Sequence, residues 1–253
     1  MENWKEERAP ELGFLTWDVP FAKAPITDAA IAYMEDKGME YVGVQFYMPG
    51  DVDVTPQFSI LADAGADWVF HNATVEGYAT VCKGWASQGL QDKMNLCSNM
   101  LLYDKTVVIL AKEAAEGAYG VLWSALPEET NLPGVKLMME QTLKNYPDDE
   151  ITSNNFDGWM YFFTLEKGLK AALEEVGYPV TGEDFARAVM SADGTGIWAD
   201  TGGCFPPLDF TTDPKDANGF HQMRMAQVQN GEIVPLTDWM DLPHLSYVGL
   251  EAK

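Results

Sequence analysis

Residues 41–74, YVGVQFYMPGDVDVTPQFSILADAGADWVFHNAT, carry the reading that decides the fold. Tyr41 to Tyr47 is a short apolar run closed by Pro49-Gly50, which predicts a strand and then a turn. Pro56 to Ala64 has helical spacing and stops at Gly65. Asp67-Trp68-Val69-Phe70 is a second short apolar run, followed by the polar loop His71-Asn72-Ala73-Thr74. Two apolar strands joined by a helix make a parallel crossover unit.

The same beat extends in both directions. Upstream, Leu12 to Trp17 reads as a strand ending in Asp18-Val19-Pro20, and Ile26 to Lys37 as a helix with Thr27 as N-cap and Gly38 as stop. Downstream, Gly77 to Gln88 is a helix, Met94 to Cys97 a strand, Lys105 to Glu116 a helix and Tyr119 to Trp123 a strand. Short apolar strands alternating with helices predict an α/β fold, a parallel sheet with helices on both faces.

After Pro127 the pattern changes. Gly134 to Tyr146, Phe156 to Val176 and Phe185 to Ser191 read as helices with no strand between them. Trp159, Phe162, Phe163, Leu165, Leu169 and Leu173 give the longest of these an apolar side that needs a surface to cover. The segment from Phe205 to Phe210 is irregular, and Asp213 to Gly219 is polar and turn-rich. Strand alternation returns from His221 to Gln229 and ends at the tight-turn pair Asn230-Gly231.

The chain has 253 residues and a formal net charge of −23. That acidity excludes binding to nucleic acid by phosphate neutralisation, which needs a basic face. Anionic membrane surfaces are poor partners for the same reason. No apolar run approaches the roughly 20 residues of a membrane span. The opening stretch, Met1 to Arg8, is polar and reads as no secretory signal. The three cysteines, Cys82, Cys97 and Cys204, form neither a disulfide framework nor a C-x-x-C pair.

In an open parallel sheet ligands bind beyond the carboxyl ends of the strands. The loops at that edge are Trp17 to Phe21, Met48 to Val52, His71 to Thr74 and Cys97 to Met100. Competing readings are simple. Phe21 suits helix–sheet packing, Asn72 and Thr74 suit turn chemistry, and Asp18 suits a cap. Asn72-Ala73-Thr74 also matches a glycosylation sequon, a frequent chance match. His71 and Cys97 both follow strands, so a Cys/His-dependent hydrolase is one alternative. No G-x-S-x-G elbow, P-loop or G-x-G-x-x-G occurs, and Gly194-Thr195-Gly196 and Gly202-Gly203 follow no strand. His221 and His244 are isolated, so no metal site and no cofactor are expected.

The ordered set of elements resembles a family, the type I periplasmic solute-binding proteins of ABC transporters, of the leucine/isoleucine/valine-binding kind. The residues that carry the resemblance are Leu15-Thr16-Trp17-Asp18 with Pro20-Phe21, Ala64 to Val69, Ala114 to Gly117, Leu208-Asp209-Phe210, Asn218-Gly219-Phe220 and Val228 to Gly231. It covers roughly Glu11 to Ile233. It implies the type I periplasmic-binding-protein fold, in which two lobes joined by three crossovers trap a solute. Residues 11–122, completed by 218–235, are then the second lobe. Residues 123–217 are the helical part of a first lobe whose sheet this chain does not supply, so the chain reads as a fragment.

The resemblance implies a small-molecule solute and an ABC permease as partners, with a periplasmic or cell-surface location. It implies no catalysis. A ligand-sensing receptor module on the same fold is the alternative. It places an aromatic contact at Phe21, a contact at Thr74 with neighbouring Asn72, and a polar contact at Ser98 or Asn99. Amino-acid-binding members often carry a carboxylate in the loop that here reads Cys97-Ser98-Asn99-Met100. Asp18 is the only acid close by, which points towards an amide or urea-like solute as well as a branched-chain amino acid.

Overall fold

The computed structural model describes residue 4 and residues 6–99, 105–148, 151–190, 201–208 and 221–242. The chain divides into two compact units: residues 1–122 with 225–237, and residues 123–224 with 238–253.

In the first unit the strands are β1 (Glu11–Trp17), β2 (Glu40–Tyr47), β3 (Trp68–His71), β4 (Asn95–Ser98) and β5 (Tyr119–Leu122). Between them lie α1 (Pro20–Lys23), α2 (Asp28–Asp36), α3 (Thr55–Asp63), α4 (Val75–Ser87) and α5 (Lys105–Ala111). A 3₁₀ turn, Lys112–Ala115, continues α5, and Lys112 takes a positive φ of 52°. That turn splits the helix expected to run on to Glu116. The sheet order is β2-β1-β3-β4-β5-β6-β7, where β6 is Gln222–Gln229 and β7 is Glu232–Pro235. Strands β1 to β5 pair in parallel and β7 returns antiparallel to β6.

The hairpin turns at Asn230, with φ 54°, and Gly231, with φ 75°, the left-handed pair that a tight two-residue loop requires. The segments expected at 209–220 and 194–196, with Met100 and His244, lie outside the described residues.

Helices α3, α4 and α5 lie side by side over one face of this sheet. Their core joins Leu15, Val54, Phe58, Leu61, Val69, Tyr78, Val81, Trp85, Leu96 and Val107, all buried. Two details lock it. Trp85 Nε1 donates to the Met94 carbonyl at 2.9 Å, and Gly84 lets α4 approach so closely that a Cβ there would lie 2.5 Å from Val54 Cγ2. The crossover from β1 to β2 runs the opposite way across the sheet from the others. Right-handedness therefore sets α2 on the other face. It is capped by the Thr27 hydroxyl, which accepts from Ala30 N–H at 3.1 Å, and it buries no residue fully.

The second unit contains α6 (Pro133–Asn145), α7 (Ser153–Val176) and α8 (Gly182–Val189), with the start of β6 paired to β8 (Met240–Asp241). Its core is Ala125, Val135, Met138, Phe156, Cys204 and Phe205, with Leu132, Trp159 and Met160 partly buried around it. The turn at 201–204 seats α6, with Gly134 N–H donating to Gly202 O at 2.7 Å.

This corrects one sequence expectation: Trp159 does not share an open face with Phe162. Phe156 and Trp159 pack within this helical core, whereas Phe162 is 72% exposed. Phe162, Leu165, Leu169, Leu173 and Val176 form an exposed stripe spaced by three and four residues. On another side of α7, Gly168 admits α8, because a Cβ there would meet the Phe185 ring at 2.5 Å. No helix among the described residues is long and apolar enough to cross a membrane.

Candidate functional site

Strand order reverses between β1 and β3, because the chain goes out from β1 to β2 and returns past β1 to β3. The crevice of an open parallel sheet lies at the carboxyl ends of such a pair. Trp17, Tyr47, His71 and Ser98 are the last residues of β1, β2, β3 and β4, so their following loops gather at this edge. The β1 loop starts with Asp18 N–H bonded to Tyr47 O at 2.8 Å. It then turns into α1, a short helix that begins at Pro20, where the fixed φ suits the first helical position. Sequence reading expected only loop here.

Three buried polar residues hold these loops together. Asn72 Nδ2 donates to the carbonyls of Phe21 and Ala22, each at 3.1 Å. The Thr16 hydroxyl donates to Asn72 O and lies 3.3 Å from Ala22 O. The Ser98 hydroxyl donates to His71 O at 3.2 Å. Asn99 Nδ2 donates to the Asn72 side-chain oxygen. The result is a polar floor joining the ends of β1, β3 and β4, its groups paired as buried polar atoms must be.

On this floor Phe21 stands 53% exposed, edge-on to Trp17 with ring centroids 6.3 Å apart. Asp18 is exposed and ion-paired with Lys23. The Lys23 ammonium also lies 4.6 Å from the centre of the Phe46 ring. Phe46 and Met48 are exposed beside it. The sequence reading did not single out Phe46, Met48 or Lys23. The available signal was the run Phe46-Tyr47-Met48, in which apolar residues continue past the strand end into the loop. Of the expected residues, Phe21, Asn72, Ser98 and Asn99 come together. Asp18 joins them through the same β1 loop. Thr74 is the N-cap residue of α4, and its hydroxyl bonds to Glu76 Oε2 at 2.7 Å.

His71 lies beneath the floor, fully buried. Its Nε2 is 2.8 Å from the Tyr47 hydroxyl, which itself donates to Gly77 O at 3.1 Å. With the Tyr47 proton directed at Gly77 O, the neutral tautomer that pairs the ring is the one with its hydrogen on Nε2, donating to the phenol oxygen. The ring stacks on Tyr78 with centroids 5.3 Å apart, and Nδ1 has no hydrogen-bond partner among the described residues. Burial pushes the His71 pKa down to about 3, so it is neutral at pH 7.

The Cys/His dyad is not built. Cys97 pairs in register with Phe70 and not with His71, so strand alternation sends the thiol and the imidazole to opposite faces of the sheet. Burial also pushes the Cys97 thiol up to about 12, which leaves it protonated and unreactive. No group of three His, Cys, Asp or Glu among the described residues is arranged to hold a metal ion.

Comparison with known proteins bears on the fold and the family. The family model described as periplasmic binding protein matches residues 3–232. A search of curated proteins finds no match. Among solved structures, the chain is similar to a branched-chain amino acid ABC transporter protein from Thermus thermophilus with bound valine, at 23% identity and a TM-score of 0.80. That match covers 93% of this chain and 62% of the other. A leucine-binding protein from Thermotoga maritima matches at 16% identity and TM-score 0.70, over 92% of this chain and 61% of that one. A fatty acid ABC transporter substrate-binding protein from Thermomonospora curvata matches at 20% identity and TM-score 0.75, over 94% and 59%. The chain thus spans about three-fifths of the length of these structures. With the family model covering nearly the whole chain and the α/β fold shared with these structures, the chain belongs to the periplasmic binding protein family, related to the substrate-binding proteins of ABC transporters.

Proposed function

We propose that the chain is solute-capturing machinery of an ABC importer, binding a small polar molecule between two lobes and performing no covalent chemistry. The second lobe is residues 11–122 completed by 218–235. Residues 123–217 supply helices of the first lobe, whose sheet lies outside this chain. An ABC permease is the partner, on the periplasmic side of the membrane or at the cell surface. One observation carries the reading: exposed Phe21 stands over a hydrogen-bonded polar floor at the point where strand order reverses. An aromatic wall with a few fixed polar groups suits a small amphiphilic solute. The exposed apolar stripe of α7 supports the first-lobe assignment, because contiguous apolar area of this kind marks an interaction surface.

The solute contacts are Phe21, Thr74, Asn99 and Asp18, while Asn72 and Ser98 hold the loops that present them. Asp18 is already ion-paired with Lys23, and the Glu76 carboxylate already accepts from the Thr74 hydroxyl, so neither acid stands unpaired to receive an α-ammonium group. An unpaired ammonium taken out of water is costly. The reading therefore favours a neutral amide or urea-like solute over a branched-chain amino acid, which the valine-bound relative makes the competing candidate.

Calorimetric titration of the complete two-lobed protein, first-lobe sheet included, with propionamide, urea, leucine and valine tests this. The expected result is amide or urea binding that weakens at least about tenfold in Phe21→Ala and Asn99→Ala, a loss of roughly 1.4 kcal/mol or more. Tight leucine binding that survives Asp18→Asn and Asn99→Ala would overturn both the solute class and the choice of residues.

A further inference from the structure

Arg224 is the last residue of the second unit before the chain enters the first, and it is only 7% exposed. An arginine this buried needs partners for its charge and its donors. Its Nη1 donates to Glu129 Oε1 at 2.9 Å, and Nη2 donates to Glu129 Oε2. Nη2 also donates to the Ser124 carbonyl at 3.2 Å. The guanidinium carbon lies 4.7 Å from the centre of the Trp239 ring. Glu129 is fixed in turn by Leu126 N–H, which donates to Oε2 at 2.6 Å. Burial pushes the Glu129 carboxyl up, but its bonds from Arg224 and Leu126 outweigh that and hold its pKa below the usual range.

The chain passes between its two units at Leu122–Trp123, at Arg224–Met225 and at Thr237–Asp238. Ser124 stands just after the first passage, Arg224 at the second and Trp239 just after the third. Ser124 and Arg224 are 100 residues apart in sequence. One guanidinium therefore touches all three connecting segments on the side of the second unit. Local backbone bonds reinforce the arrangement: Ala125 N–H donates to Cys204 O at 2.8 Å, and β8 pairs with Gln222 and Met223.

We propose that Arg224 is a pin that fastens the three segments by which the chain enters and leaves the second unit into one rigid piece of that unit. A planar fork bonded on both prongs and stacked on an indole suits this task, because it fixes orientation as well as distance. Lysine offers only a point charge. The pin does not rest on the function proposed above, and its test uses no solute.

The test is hydrogen–deuterium exchange, read by mass spectrometry on the full chain, for the unmodified protein, Arg224→Lys, Arg224→Met and Glu129→Gln. The expected result is exchange roughly tenfold faster or more, together, at residues 124–129, 222–224 and 238–241, with β1 and β3 keeping their protection. Faster exchange confined to residues 222–226 would show that Arg224 does not couple the three segments, and would overturn the proposal. Uniform acceleration over both units would overturn it too, by showing only a general loss of stability. Should Arg224→Met fail to fold, Arg224→Lys and Trp239→Leu decide between these outcomes, because each keeps a positive charge beside Glu129.

Discussion

Acidification should expose the burial of His71 directly. Its pKa falls from about 6.5 in the unfolded chain to about 3 in the folded one. Between those values the unfolded imidazole binds a proton and the folded one does not. Stability is therefore intact above about pH 6.5 and is lost as pH falls through the window. At about 1.36 kcal/mol per unit, the full window of about 3.5 units is worth on the order of 5 kcal/mol, and the accessible part from pH 6.5 to 4.5 about 2.5 kcal/mol. His71→Gln removes the titration while keeping an N–H donor for the Tyr47 hydroxyl. The assay is urea unfolding followed by tryptophan fluorescence at half-unit pH steps for both proteins. All other ionisable groups are common to both proteins, so the difference between the two stability curves isolates His71. That difference should slope by about 1.4 kcal/mol per unit below pH 6. A difference flat to within about 0.5 kcal/mol would refute the claim that the imidazole is buried and neutral.

Three further outcomes follow from packing. Gly84→Ala forces a methyl group to within 2.5 Å of Val54 Cγ2 and should cost about 1–3 kcal/mol by urea unfolding, despite alanine's better helix propensity. Asn72→Ala removes one of two donors from each of the Phe21 and Ala22 carbonyls, together with the acceptor of the Asn99 amide, and should cost about 1–3 kcal/mol, with faster amide exchange in residues 18–24 as its local signature. Phe162→Ser combined with Leu169→Gln should leave the melting temperature nearly unchanged, within about 0.5 kcal/mol, and should lower concentration-dependent association seen by light scattering. A melting temperature lower by many degrees would mean that this stripe is already packed within the chain.

Much of the site was legible in the residues, though their tasks were not. Phe21, Asn72 and Asn99 follow strands and Ser98 ends one, and strand ends in a parallel sheet share one edge. That edge was therefore readable once the alternation was read. What Asn72 does there was not readable, because its amide is spent on carbonyls 50 and 51 residues away in sequence. Phe46 escaped notice because a phenylalanine in an apolar strand looks like core. Only the position of β2 at the edge of the sheet leaves it exposed.

The sequence by itself determined the order and type of most elements. Hydrophobic period, caps and glycine stops are local properties, and residues such as Thr27, Gly38 and Gly65 write them within one turn of where they act. Tertiary structure decided everything that depends on which strands become neighbours. Register placed Cys97 opposite Phe70 and so sent its thiol away from His71. Packing divided the apolar residues of α7, burying Phe156 in the helical core and leaving Phe162 exposed. The guanidinium of Arg224 met Glu129 and Ser124 across 95 and 100 residues of chain. Such contacts leave no local trace, because their partners are fixed by chain topology and not by spacing.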